Sequence, residues 1–153
     1  MPAMGSLPLV DQAWGTLGAP QLHCINGLMT GGDSVTIGGN FTGAGILVVK
    51  DAMLIISGTF HWEGLIIVTG NDIGFQTVGQ ENKEVIGALM VNEMGFALGA
   101  GPAILDIRGA IRILYSRSTL GASASLIRSS ALASGYAWLP FYVRQDYWKS
   151  LNP

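Results

Sequence analysis

Val35-Thr-Ile-Gly-Gly-Asn-Phe-Thr-Gly-Ala-Gly-Ile-Leu-Val-Val49 lies over Leu54-Ile-Ile-Ser-Gly-Thr-Phe-His-Trp-Glu-Gly-Leu-Ile-Ile-Val68 without a gap, 19 residues further on. The superposition pairs Ile37 with Ile56, Gly39 with Gly58, Phe41 with Phe60, Gly45 with Gly64 and Val49 with Val68. Between these identities, Ile46-Leu-Val48 meets Leu65-Ile-Ile67 conservatively. Ile86-Gly-Ala-Leu-Met-Val91 restates the second half of the unit, and Leu105-Asp-Ile-Arg-Gly-Ala-Ile-Arg-Ile113 restates its Ile-x-Gly bend and second strand. About four degenerate copies therefore run between Ser34 and Tyr115.

Each copy holds a short β-branched run, a bend containing Gly and a second apolar run, a length and composition that suit strands. A period of about 20 residues with this content predicts a right-handed, parallel β-solenoid-like stack, in which equivalent positions recur about 4.8 Å apart. Gly39, Gly58 and Gly109, and Gly45, Gly64 and Gly87, are expected at corners that need positive φ or close backbone approach. Phe41 is expected to stack on Phe60. The competing architecture is a meander of antiparallel hairpins, disfavoured because the bends lack Asn-Gly and Asp-Gly dipeptides.

The runs Ile46-Leu-Val-Val49 and Leu65-Ile-Ile-Val68 are apolar on both faces, so their outer side must be covered. A helix within Ser118–Gly135, with Leu120, Ala124, Ile127 and Ala131 at helical spacing, is the expected cover. Leu105, Ile107, Ile111 and Ile113 alternate with Asp106, Arg108, Ala110 and Arg112, which suits the end of a stack. Glu81-Asn-Lys-Glu84 reads as a solvated insertion between the second and third copies. The organisation is a single domain, 1–153, with a lead-in over 1–33, a β core over 34–116 and a helix with an aromatic tail over 117–153.

Composition narrows the function. Charged residues are 12% of the chain, against about 25% in an average soluble domain. Eight Lys and Arg within a net charge of −2 form no basic stripe, so nucleic acid is not an expected partner. No apolar run approaches the ~18 residues of a spanning helix, and Met1-Pro-Ala-Met-Gly-Ser6 lacks the regions of a signal peptide. Cys24 is the sole cysteine and with His23 supplies two ligands where structural zinc takes four. Asp33, Asp51, Asn71 and Asp72 match no calcium-loop spacing and read as turn residues. No cofactor or metal is expected.

The candidate sites are few. His61 and Glu63 flank Trp62 at the bend of the second copy, but no nucleophile or second carboxylate is spaced to complete a catalytic set. Tyr136, Trp138, Phe141, Tyr142, Tyr147 and Trp148 crowd the C-terminus with Arg144 and Lys149. Aromatics beside Arg are what binding hot spots use, and also what a terminal strand uses to seal a sheet. Both roles stay open; the partner-binding candidates are Trp62, Trp138, Phe141, Tyr142, Arg144, Tyr147 and Trp148.

The order Gly-x-Gly-Ile-Leu-Val-Val, Ile-Ser-Gly-x-Phe-x-Trp-x-Gly-Leu-Ile-Ile-Val, Ile-Gly-Ala-Leu-Met-Val and Ile-x-Ile-Leu-Tyr-Ser, over Ile37 to Ser116, resembles the soluble domain of PilX-like proteins linked to type IV pilus assembly. A weaker likeness is to bactofilins, cytoskeletal β-solenoids. The first resemblance implies a glycine-rich β domain presented on the extracellular or periplasmic side of a bacterial envelope, with membrane attachment only through an anchor that this chain does not contain. The expected function is a non-enzymatic assembly component, a homo-oligomer or docked on a filament. The alternative is a module that binds surface glycans through exposed aromatics.

Overall fold

The computed structural model describes residues 9–27, 34–71, 73–93 and 103–133, with helix side chains as far as Ile127. Eleven strands precede one helix among these residues: β1 Leu9–Val10, β2 Ala13–Trp14, β3 Gln21–Asn26, β4 Ser34–Gly38, β5 Asn40–Lys50, β6 Met53–Ser57, β7 Thr59–Gly70, β8 Gly74–Val78, β9 Lys83–Glu93, β10 Ile104–Asp106, β11 Ile111–Tyr115 and α1 Arg117–Ala133. From β4 to β11, successive strands alternate between two sheets, one ordered β1-β4-β6-β8-β10, the other β11-β9-β7-β5-β2 with β3 also on β5. Every pairing between these strands is parallel. The antiparallel meander is thereby ruled out.

The internal repeat is a register. Val35 pairs with Leu54 and Ile37 with Ile56 in the first sheet. Phe41 through Val49 pair with Phe60 through Val68 in the second, so the gapless superposition of the sequence is the hydrogen-bonded alignment of neighbouring strands. Phe41 stacks on Phe60 at 5.4 Å and 15°. All six glycines expected at corners have positive φ. The inner faces of both sheets share one core that includes Val35, Ile37, Leu54, Ile56 and Phe75 from the first and Phe41, Leu47, Phe60, Trp62 and Ile66 from the second.

The third copy is more complete than its sequence declares. Gly74–Val78 is its first strand, paired with β6, and Lys83 and Glu84 open β9 rather than lying in an insertion. Lys83 takes the place below Phe60 that Phe41 takes above it. Its aliphatic stem fills the aromatic column while Nζ donates to the Glu81 carbonyl at 2.9 Å. A long cationic side chain can bury its methylenes in this way and still satisfy its head group. Read as a charge, Lys83 hides the strand; read as a stem, it continues it.

Helix α1 covers the second sheet, packing against β7, β5, β9 and β3. Ser116 caps it, its hydroxyl accepting from the Thr119 amide at 3.4 Å. The buried face differs from the expected one: Thr119 and Ser123 are buried, whereas Ala124 and Ile127 face solvent. Ser123 Oγ donates to the carbonyl of Gly45 at 3.0 Å or to that of Thr119 at 2.9 Å. Thr119 Oγ1 reaches the carbonyl of Ile86 at 3.0 Å. The helix meets the bend of β5, β7 and β9 at the Gly45–Gly64–Gly87 column, where carbonyls point outward and a hydroxyl satisfies them in a space too close for Leu or Ile.

Candidate functional site

Trp62 is the first candidate to place, and it lies in the core at 0% exposure. It sits over Gly43, whose Cβ, if it had one, would collide with the Trp62 ring. Its ring centroid is 6.5 Å from that of Phe41. The local reason is the period of two: Phe60, Trp62, Gly64, Ile66 and Val68 all point away from solvent along β7. Buried in this way, Trp62 offers no surface to a partner, contrary to its expected place among the partner contacts. The other candidates, Trp138, Phe141, Tyr142, Arg144, Tyr147 and Trp148, lie outside the described residues.

His61 and Glu63, on the opposite face of β7, do come together. His61 Nε2 is 3.3 Å from Glu63 Oε1 and Nδ1 is 3.2 Å from Glu84 Oε2, while Arg112 Nη1 is 3.2 Å from Glu84 Oε1. The register explains the row, since His61 pairs with Glu84 and Glu84 with Arg112 across three adjacent parallel strands. Both imidazole nitrogens are engaged by carboxylates, an arrangement that ties strands together.

A matching row lies on the outer face of the first sheet, where Gln76 Nε2 donates to Asp106 Oδ2 at 3.0 Å. Arg108 holds the same carboxylate through Nε at 2.9 Å and Nη2 at 2.8 Å. The hydrogen bond from Arg108, its positive charge and the bond from Gln76 together hold the Asp106 carboxyl below the usual carboxylate range, outweighing the desolvation that opposes them.

These rows rim one end of the molecule. β10 and β11 are the terminal strands of their sheets. Leu105 is in register with Phe75 and Ile113 with Val85. Phe75 and Val85 are fully buried, yet Leu105 is 59% and Ile113 41% exposed. Two core-facing positions thus stand exposed where the sheets end among the described residues. Ile104 and Ile107 add to the patch, and a cleft of about 380 Å³ lined by Asn82, Lys83, Glu84, Ala110, Ile111 and Arg112 opens beside it. An apolar centre within a charged rim is the anatomy of a protein interface.

No family model, curated protein or solved structure matches this chain. The site must be read from its own geometry.

The opposite end buries three apolar side chains while leaving Val10, Leu17 and Leu22 exposed. Leu9, Trp14 and Ile25 are buried, Trp14 meets Phe41 edge-on at 4.9 Å, and His23 stacks on Trp14 at 4.2 Å. Burial of the His23 ring lowers its pKa, so the unfolded chain, titrating near 6.5, binds its proton more readily than the folded one. Stability from this stack is present above pH about 6.5 and is lost as pH falls through the depressed folded value. Chemical denaturation from about pH 8 to about pH 5 is expected to show an acid-side loss that is smaller in His23→Phe. Identical pH slopes in the two proteins would exclude this role for His23.

The open end was legible only indirectly. The alternation of Leu105 to Ile113 marks a terminal strand pair, and which side stands exposed follows only from the register of Leu105 with Phe75 and Ile113 with Val85. The signal available was that no copy follows the fourth.

Proposed function

We propose that the chain is a non-enzymatic assembly component built on a right-handed parallel β-solenoid, self-associating or docking on a filament at a bacterial cell surface, as the resemblance to PilX-like pilus-associated domains implies. The observation that supports it best is the open end, where core-facing Leu105 and Ile113 stand exposed at the terminal strands β10 and β11. Uncovered strand edges with an apolar interior behind them are templates for pairing with another chain, unless shape or charge blunts them. The successive crossings between parallel sheets favour the solenoid, and the usual hand of such crossings favours the right-handed form. The engagement of both His61 nitrogens favours a structural role for the charge row over acid–base chemistry.

Light scattering coupled to size exclusion tests the assembly reading. A mass that rises above 16.1 kDa with protein concentration is expected, and electron micrographs at the highest concentration report any filaments. A monomeric mass throughout, at tens of micromolar and with no filaments, overturns self-association.

A further inference from the structure

We propose that the C-terminal segment 136–149 of this same chain folds back along the far side of β3 and caps that end of the stack from within the molecule. The inference goes beyond the assembly reading and concerns the end away from β10 and β11.

β3 is the long edge strand of this end, six residues from Gln21 to Asn26 against two each in β1 and β2. It pairs with β5 on one side, and no strand among the described residues pairs with Leu22 to Ile25 on the other. Ile25 is buried, whereas Leu22 is 42% exposed, and Val10 and Leu17 are exposed at the same end. An edge of this length with apolar side chains around it is a template for one more strand.

Helix α1 delivers the chain to that edge. The Ser116 amide donates to the Gly87 carbonyl of β9 at 3.4 Å, Thr119 reaches Ile86 of the same strand, and Ser123 reaches Gly45 of β5. Four residues of helix thus cross two strand spacings, so the axis runs steeply across the sheet toward β3, which it also contacts. The 17 residues of α1 span about 25 Å, whereas β9, β7, β5 and β3 together span about 14 Å. The helix overhangs β3, and the chain continues from there with residues 134–153.

The sequence that follows suits the edge. Gly135 is a helix stop, and Pro140, which has no amide hydrogen, suits the first position of an edge strand. Phe141-Tyr-Val-Arg-Gln145 has the aromatic and β-branched content of a strand, with Phe141 and Val143 on one face and Tyr142 and Arg144 on the other. Other segments fit less well. Residues 28–33 must reach β4 and are too short to run back along β3 as well. Residues 1–8 hold two prolines and no aromatic. The chain's own C-terminal segment, tethered beside the edge, is also present at an effective concentration of about millimolar, which favours it over that of a second copy.

Cys24, exposed on β3, is a built-in probe. Phe141→Cys, Tyr142→Cys, Val143→Cys, Arg144→Cys and Gln145→Cys are made one at a time in the full chain and oxidised mildly at high dilution. A disulfide within the monomer is expected at alternate positions, the period of a seated strand. Leu22→Asp is expected to slow its formation at the favoured positions by about tenfold or more, the loss for one large apolar side chain returned to water, with an unchanged circular dichroism spectrum. A flat profile over the five positions, as a loose tether gives, overturns the proposal, as does an alternation that Leu22→Asp leaves untouched. A disulfide-linked dimer whose yield falls on dilution assigns the edge to a second copy and overturns it. Met4→Cys joining Cys24 in higher yield than all five assigns the edge to the N-terminus and overturns it, and so does the absence of any disulfide. The mass of the reduced protein reads self-association separately, so the two proposals fail independently.

Discussion

Gly64→Ala is expected to destabilise the fold by about 3 kcal/mol or more and to release α1 from the second sheet. Gly64 has φ +141° and sits between Gly45 and Gly87, which also have positive φ. A Cβ there would run into the carbonyl oxygen of Gly45 and come to 2.6 Å from Ser123 Oγ. Backbone strain of this kind costs about 1–3 kcal/mol, and overpacking a close contact about 1–3 kcal/mol more. The two add because one is local to residue 64 and the other is felt by β5 and the helix. Ser123→Ala separates them, since it removes the hydroxyl without adding bulk and is expected to cost about 1 kcal/mol. Gly18→Ala, where a Cβ meets nothing within 4 Å, serves as the neutral reference. Equal denaturation midpoints for Gly64→Ala and Gly18→Ala would refute the account of the helix seated on a glycine column.

That column shows why the repeat was readable and the helix face was not. Identical residues at an offset of 19 report directly on parallel register, because stacked strands present the same environment at the same place. Phe41 over Phe60 and the corner glycines follow from that alone. The helix has no such internal copy to be compared with, and apolar spacing favoured Leu120, Ala124, Ile127 and Ala131. What decided its orientation was the exposed backbone of a neighbouring element, whose carbonyls of Gly45 and Ile86 call for hydroxyls. Thr119 and Ser123, four residues apart, were present in the sequence. Their meaning depended on Gly45, 78 positions before Ser123, and on Ile86, 33 before Thr119. Lys83 hides its strand for the related reason that column position outweighs residue type: four methylenes of stem offset one charge when the Glu81 carbonyl lies 2.9 Å from Nζ. The apolar end was half legible, since the terminal strand pair could be recognised but its uncovered side required knowing that Phe75 and Val85 lie directly beneath Leu105 and Ile113.

Trp62→Ala is expected to cost about 3–5 kcal/mol, the range for truncating a large buried aromatic. It is the largest fully buried side chain among the described residues, and the space it vacates is bounded by Phe41 and by Gly43, which has no side chain to fill it. Trp62→Phe is expected to cost much less. It keeps a ring against Phe41, and it removes the buried Nε1–H, which finds no acceptor among the described residues and whose desolvation carries a penalty of about 1–3 kcal/mol. A surface-binding role predicts the reverse pattern, in which Trp62→Ala leaves stability intact and only binding falls. Gly43 sharpens the test, because Gly43→Ala brings a Cβ into the Trp62 ring and to 2.8 Å from the Trp14 carbonyl. The first clash vanishes in the Trp62→Ala background and the second persists. The double mutant is therefore expected to be more stable than the sum of the single changes predicts, by about 0.5–3 kcal/mol, as for residues in direct contact. Strict additivity would mean that the large-over-small fit of Trp62 on Gly43 contributes nothing to the packing of these two strands.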